Sequence, residues 1–108
     1  MRIGATKCKE EIEAATDAKA ALGGLTPESA PSDRSIFVLR FAANVATRAA
    51  HLRLERRKAL NELRSQAAKS LNAVCRLLEL RRLEQNSIDA GKAAVQAWLE
   101  ALLQEDGD

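Results

Sequence analysis

Aromatic side chains are scarce in this chain: they make up 3% of its 108 residues, as two Phe, one Trp and no Tyr. A core of this composition cannot be filled with rings and has to be assembled from Ala and Leu, which are also strong helix formers. Strands, which favour β-branched and aromatic residues, are poorly supplied.

Cysteine is nearly absent as well. Cys8 and Cys75 lie far apart without CxxC spacing, and a disulfide-stapled chain would carry more. A reducing, cytoplasmic setting is expected. The longest strongly apolar run is Ile36 to Leu39, far short of the roughly 20 residues that span a bilayer. Met1 to Leu22 mixes Lys with Glu and lacks the continuous apolar stretch of a signal peptide. The sequence points to no membrane partner.

Chemistry-bearing groups are equally thin. The single histidine, His51, projects away from the apolar residues around it and has no second imidazole or Cys at ligand spacing, so no metal site is expected. Gly23-Gly24 lacks the Lys-Ser/Thr of a phosphate loop and reads as helix termination, with a glycine in the left-handed region. Glu10, Glu11 and Glu13, near Lys7 and Lys9, read as ordinary surface charge. Cys75 reads as a small buried hydrophobe and Cys8 as partly exposed; neither has a histidine nearby in sequence to make it a nucleophile. No catalytic residue, cofactor or small-molecule ligand is expected, and an enzyme is not.

What the chain does have is helix-forming sequence with apolar periodicity. The reading is all-α, a single domain over residues 1–108. A first helix covers 5–22, with Cys8, Ile12, Ala15 and Leu22 on one face. The linker at 23–34 holds both prolines, and Thr26-Pro27-Glu28 suits one short helical turn. From Ser35 to Gln85 there is no Gly or Pro, and Ser32 or Asp33 can cap the start. One long central helix over 35–85 is predicted. Val38, Ala42, Val45, Ala49, Leu60, Leu63, Ala67, Leu71, Val74 and Leu78 keep one phase at 100° per residue, so a straight helix can present them as one stripe. Asn86-Ser87 then closes one helix and caps another over 88–103, with Ile88, Val95, Trp98, Leu99 and Leu102 inward, returning antiparallel over Leu77, Leu80 and Leu83. An acidic tail, 104–108, follows.

A stripe some 60 Å long is more than two flanking helices of about 27 and 24 Å can cover. Part of it is therefore expected to pair with another chain, most simply in an antiparallel or two-fold homodimer of helical bundles or coiled coils; a long helix bent back into a monomeric bundle is the alternative. Arg53 and Arg56 interrupt the stripe where core residues belong. Either both snorkel to water, or they meet acids of a partner, such as Glu10, Glu11 and Glu13 of another copy. Trp98 reads as core, with an interface anchor as the other possibility.

Charge is segregated beneath a net +2. Residues 34–82 hold twelve Lys or Arg against three acids, a net +9, while 1–33 carry −2 and 83–108 carry −5. Arg48, Arg53, Arg56, Arg57, Lys58 and Arg64 form a basic strip that could take phosphates. The strip points in many directions, has no aromatic residues for base stacking and lies in no helix-turn-helix pattern. The expected function is therefore a non-enzymatic protein-interaction module of adaptor, anti-activator or secretion-accessory type, acting through the stripe. A nucleic-acid-binding or regulatory protein using the basic helix is the alternative.

Overall fold

The computed structural model describes residues 8–52 and 58–107. Four helices carry them: α1 (Lys9–Gly23), α2 (Asp33–Leu52), α3 (Lys58–Glu79) and α4 (Gln85–Gly107). No strand occurs among the described residues.

Each helix packs on two neighbours, in the ring α1, α2, α3, α4 and back to α1. Leu22 of α1 and Val74 of α3 both lie against Gly91 of α4, whereas Glu11 of α1 reaches both Arg64 of α3 and Trp98 of α4. Numbering therefore rises together along α1 and α3 and falls along α4. Ile36, near the start of α2, offers its carbonyl to Cys75, beside Val74, so α2 also runs against α3. The architecture is an up-down-up-down four-helix bundle.

This corrects the single long helix expected over 35–85. Arg40 and Glu79 form an ion pair of 2.9 Å, yet a straight helix would hold them about 59 Å apart. The radius of gyration of 13.7 Å is that of a compact domain of this length, near 13 Å. The stripe's phase is continuous, but phase at 100° per residue does not register a reversal of direction. Two antiparallel helices can bury the same residues, and here they do so within one chain. One helix ends at Leu52 and the next, running the other way, begins at Lys58; Arg53, Arg56 and Arg57 lie outside the described residues.

Small residues allow the close approach. Ala14, Ala15, Ala18, Ala42, Ala43, Ala46, Ala67 and Ala68 are all buried, with Leu22, Leu39, Leu71, Leu78, Ile88, Val95, Trp98 and Leu102 as the larger filling. At Gly91, a methyl group would sit 3.3 Å from Val74 and 3.4 Å from Leu22. Glycine costs about 1 kcal/mol within a helix, and here its missing side chain is what lets α4 close on α1 and α3.

The helix ends differ from expectation in three places. α1 includes Gly23 and ends on Gly24 at φ −94, not in the left-handed region; its last carbonyls are met by three-residue bonds from the Gly24 and Leu25 amides. Among the described residues, the one that does take a positive φ is Arg81, at 59. Its amide donates to Leu78 and that of Arg82 to Leu77, the paired bonds of a Schellman closure in a place usually given to Gly. Because α3 stops at Glu79, α4 starts earlier than expected, at Gln85, and Ser87 lies inside its first turn rather than capping it. Leu80, expected under α4, is instead exposed, while Leu83 is buried.

The linker keeps its predicted breaks in altered form. Thr26 to Ser29 is a β-turn closed by the Ser29 amide on the Thr26 carbonyl, with Pro27 at its second position. Ser32 caps α2 as expected, its Oγ accepting from the Ser35 amide. No helix among the described residues is long and apolar enough to cross a membrane.

Candidate functional site

The predicted interface stripe is mostly the inside of the bundle. Ala42, Val45, Ala49, Leu60, Ala67, Leu71, Val74 and Leu78 are buried, and Val38 and Leu63 are half-buried. Trp98 is fully buried too. The buried ones are covered by the same chain and offer no open surface to a partner; Val38 and Leu63 stay partly accessible.

Near the end of the bundle where α1 begins, the core holds a polar cluster that sequence reasoning placed elsewhere. Glu11 and Arg64 are 5% and 0% exposed. Arg64 Nε donates to Glu11 Oε2 and Nη2 to Oε1, each at 2.8 Å, a two-point pairing across the diagonal of the bundle. Its Nη1 donates to Asn61 Oδ1 at 2.8 Å, and Trp98 Nε1 donates to Glu11 Oε2 at 3.2 Å. All three guanidinium nitrogens and both carboxylate oxygens are thereby engaged, as a buried ion pair requires. Glu11 is therefore not surface charge, and Arg64 is not part of a phosphate-binding strip. An acid of the Glu10–Glu13 cluster does meet an arginine, within one chain and with Arg64 as the arginine.

The rest of the basic strip is thinned. Arg48 and Lys58 are exposed on different helices, and Arg40 is engaged with Glu79. Cys8, expected to be partly exposed, is 2% exposed, and Cys75 is fully buried as expected. Burial pushes the Cys75 thiol above its ordinary range; the nearby Arg40 guanidinium pulls the other way, and Glu79 adds to the rise. An open groove of about 850 Å³ runs between the last turns of α2 and the first two thirds of α3, from Thr47 and His51 to Lys58 and Asn72. Its titratable groups, His51, Lys58, Glu62 and Lys69, are all exposed.

The most unusual surface lies on the outside of α2. Phe37 and Phe41, the chain's only phenylalanines, are 67% and 43% exposed. Their rings stack at 6.0 Å between centroids with 17° between planes. Spacings of three and four residues align them with Arg34, Asn44, Arg48 and His51, all exposed, on one line down the helix. A chain so short of rings thus places two of its three outside, while Ala fills its core. The signal was present in the sequence, because Phe37 and Phe41 fall well out of phase with the apolar stripe.

The ring order of the helices also turns the charge segregation into a shape. α2 and α3, the basic segment, are neighbours, and so are α1 and α4, the acidic ones. The bundle has a basic side bearing the two Phe and an acidic side opposite.

Compared with protein families, curated proteins and solved structures, the chain gives no match.

Proposed function

We propose that the chain is a non-enzymatic helical protein-interaction module of adaptor, anti-activator or secretion-accessory type, and that the outer line of α2 is its partner-facing surface. The observation that carries this reading is the exposure of the stacked pair Phe37 and Phe41. Aromatic and Arg side chains dominate the energetics of protein interfaces, and here the two kinds share one helix face. Leaving the rings 67% and 43% exposed forgoes roughly half of the 1.5–3 kcal/mol that full burial of each would bring, an arrangement with a purpose if a partner covers them. The setting is a reducing one, in which Cys8 and Cys75 stay as thiols.

This reading moves the interaction away from the stripe first expected to carry it. A homodimer through that stripe loses its motive, because the apolar groups that were to be shared are buried within one chain. A nucleic-acid role has less support: Arg64 is committed to Glu11, and Arg48 and Lys58, the exposed members of the basic strip among the described residues, lie on two different helices.

The test is site-specific photo-crosslinking in the native host, with benzoylphenylalanine at position 37 or 41 and, as control, at position 89 on α4. A discrete protein adduct from 37 and 41 that is missing from 89 is the expected result. Adducts to nucleic acid, equal adducts from both sides, or none would overturn the reading.

A further inference from the structure

Which kind of partner suits the outer line of α2 follows from what surrounds the two rings. Arg34 and Arg48 bracket Phe37 and Phe41, and none of Arg34, Phe37, Phe41, Asn44, Arg48 and His51 is acidic. The two arginines are separated by about 21 Å along the helix axis. Resting on the reading above, we infer that this face docks an acidic amphipathic helix of a different protein. About four turns of that helix carry apolar side chains at three- and four-residue spacing onto Phe37 and Phe41, with carboxylates near both ends for Arg34 and Arg48.

The charge pattern selects this occupant over a second copy of the chain. In a symmetric pairing of α2 with α2, each copy brings Arg34 and Arg48 and no carboxylate on the line, so the contact gathers guanidinium groups without counter-charge. The acidic side of a second copy has carboxylates exposed at Glu10, Glu13, Asp17, Asp89 and Glu100. It has little apolar surface to receive two rings, however: on α1 and α4 the exposed large hydrophobic among the described residues is Leu103. A head-to-side contact of that kind also does not close on itself and would string copies into open chains. An acidic helix with its own apolar stripe supplies both needs at once, laying an amphipathic face on a helical surface.

Single-stranded nucleic acid is the competing class, since exposed rings flanked by arginines can stack on bases. Two observations weigh against it. The rings already stack on each other, and Arg40, the next cation toward α3, is held by Glu79.

The experiment measures fluorescence anisotropy of three labelled probes against the full-length chain at moderate salt. They are an 18-residue amphipathic peptide with Leu on one stripe and Glu elsewhere, its twin with Lys for every Glu, and a 15-mer of oligouridylate. The acidic peptide is expected to bind at least tenfold more tightly than its Lys twin. Its affinity is expected to fall at least tenfold in Phe37→Ser/Phe41→Ser and again in Arg34→Glu/Arg48→Glu. Trp98 emission and far-ultraviolet circular dichroism establish that each variant is folded, and Phe37→Ser alone serves if the double variant is not.

Equal binding of both peptides, lost with the Phe substitutions, would overturn the acidic partner and leave the α2 interface standing. Binding of the acidic peptide that ignores the Phe substitutions, or no binding of either peptide, overturns the inference. Binding of oligouridylate alone replaces it with a nucleic-acid surface.

Discussion

Removing Arg64 leaves the Glu11 carboxylate in the core with the Trp98 N–H as its remaining side-chain donor among the described residues. The pair is 0% and 5% exposed, and deleting one partner of a buried ion pair costs about 3–5 kcal/mol, because the survivor keeps its charge and loses its counter-charge. A domain of this size has a total stability on the order of 5–15 kcal/mol, so Arg64→Met alone is expected to unfold at a urea midpoint lower by about 2 M or more. Glu11→Leu is expected to behave alike, stranding the guanidinium and the indole N–H together. The double variant Glu11→Leu/Arg64→Met removes both charges and leaves the Trp98 donor unpaired, a loss of about 1–3 kcal/mol. It is therefore expected to be more stable than either single variant, with a coupling energy of about 3 kcal/mol or more between the two sites. Urea titration followed by Trp98 fluorescence and circular dichroism supplies all four corners of the cycle. Additive losses of less than about 1 kcal/mol each, the range of exposed ion pairs, would refute the buried pairing.

Three further outcomes follow from the backbone and the core. Arg81→Gly relieves a left-handed conformation that costs a side-chain-bearing residue about 1–2 kcal/mol; a gain of up to about 1 kcal/mol in thermal or urea unfolding is expected after the entropy that glycine adds to the unfolded chain. The helical glycines should split in sign. Gly23→Ala meets open space and is expected to gain up to about 1 kcal/mol, whereas Gly91→Leu pushes into Val74 and Leu22 and should lose about 1–3 kcal/mol. Cys75 gives a pH dependence: its thiol ionises less readily in the fold than at its ordinary value of 9.0, so the stability it supports is fully present below that value and declines as pH rises above it. Unfolding midpoints measured from pH 8 to 10.5 should fall more steeply for the natural chain than for Cys75→Val.

The helices of this bundle were legible for plain reasons. Apolar period and cap chemistry located the inward faces of α1 and α4 and the Ser32 cap, because those signals are local. The reversal between α2 and α3 was not legible, since residues 53–57 carry none of the Gly, Pro, Asn or Asp that mark turns. With no such mark, an unbroken stripe reads as an unbroken helix, and the open surface that seemed to require a second copy arose from that reading. Glu11 looked like its neighbours Glu10 and Glu13 because burial of a charge depends on a partner far away in sequence, here Arg64. The α2 surface was missed for another reason: attention to residues that keep phase with the core passes over Phe37 and Phe41, which break it.

The openness of the α2 surface formed by the chain's only two phenylalanines is read directly by fluorine NMR of protein made with 4-fluorophenylalanine. The free protein is expected to give two resonances, both showing a solvent isotope shift between H2O and D2O, and both moving when the acidic peptide is added. Resonances without that isotope shift in the free protein would rule out an open docking surface, because the rings would then be covered by this chain or by another copy of it.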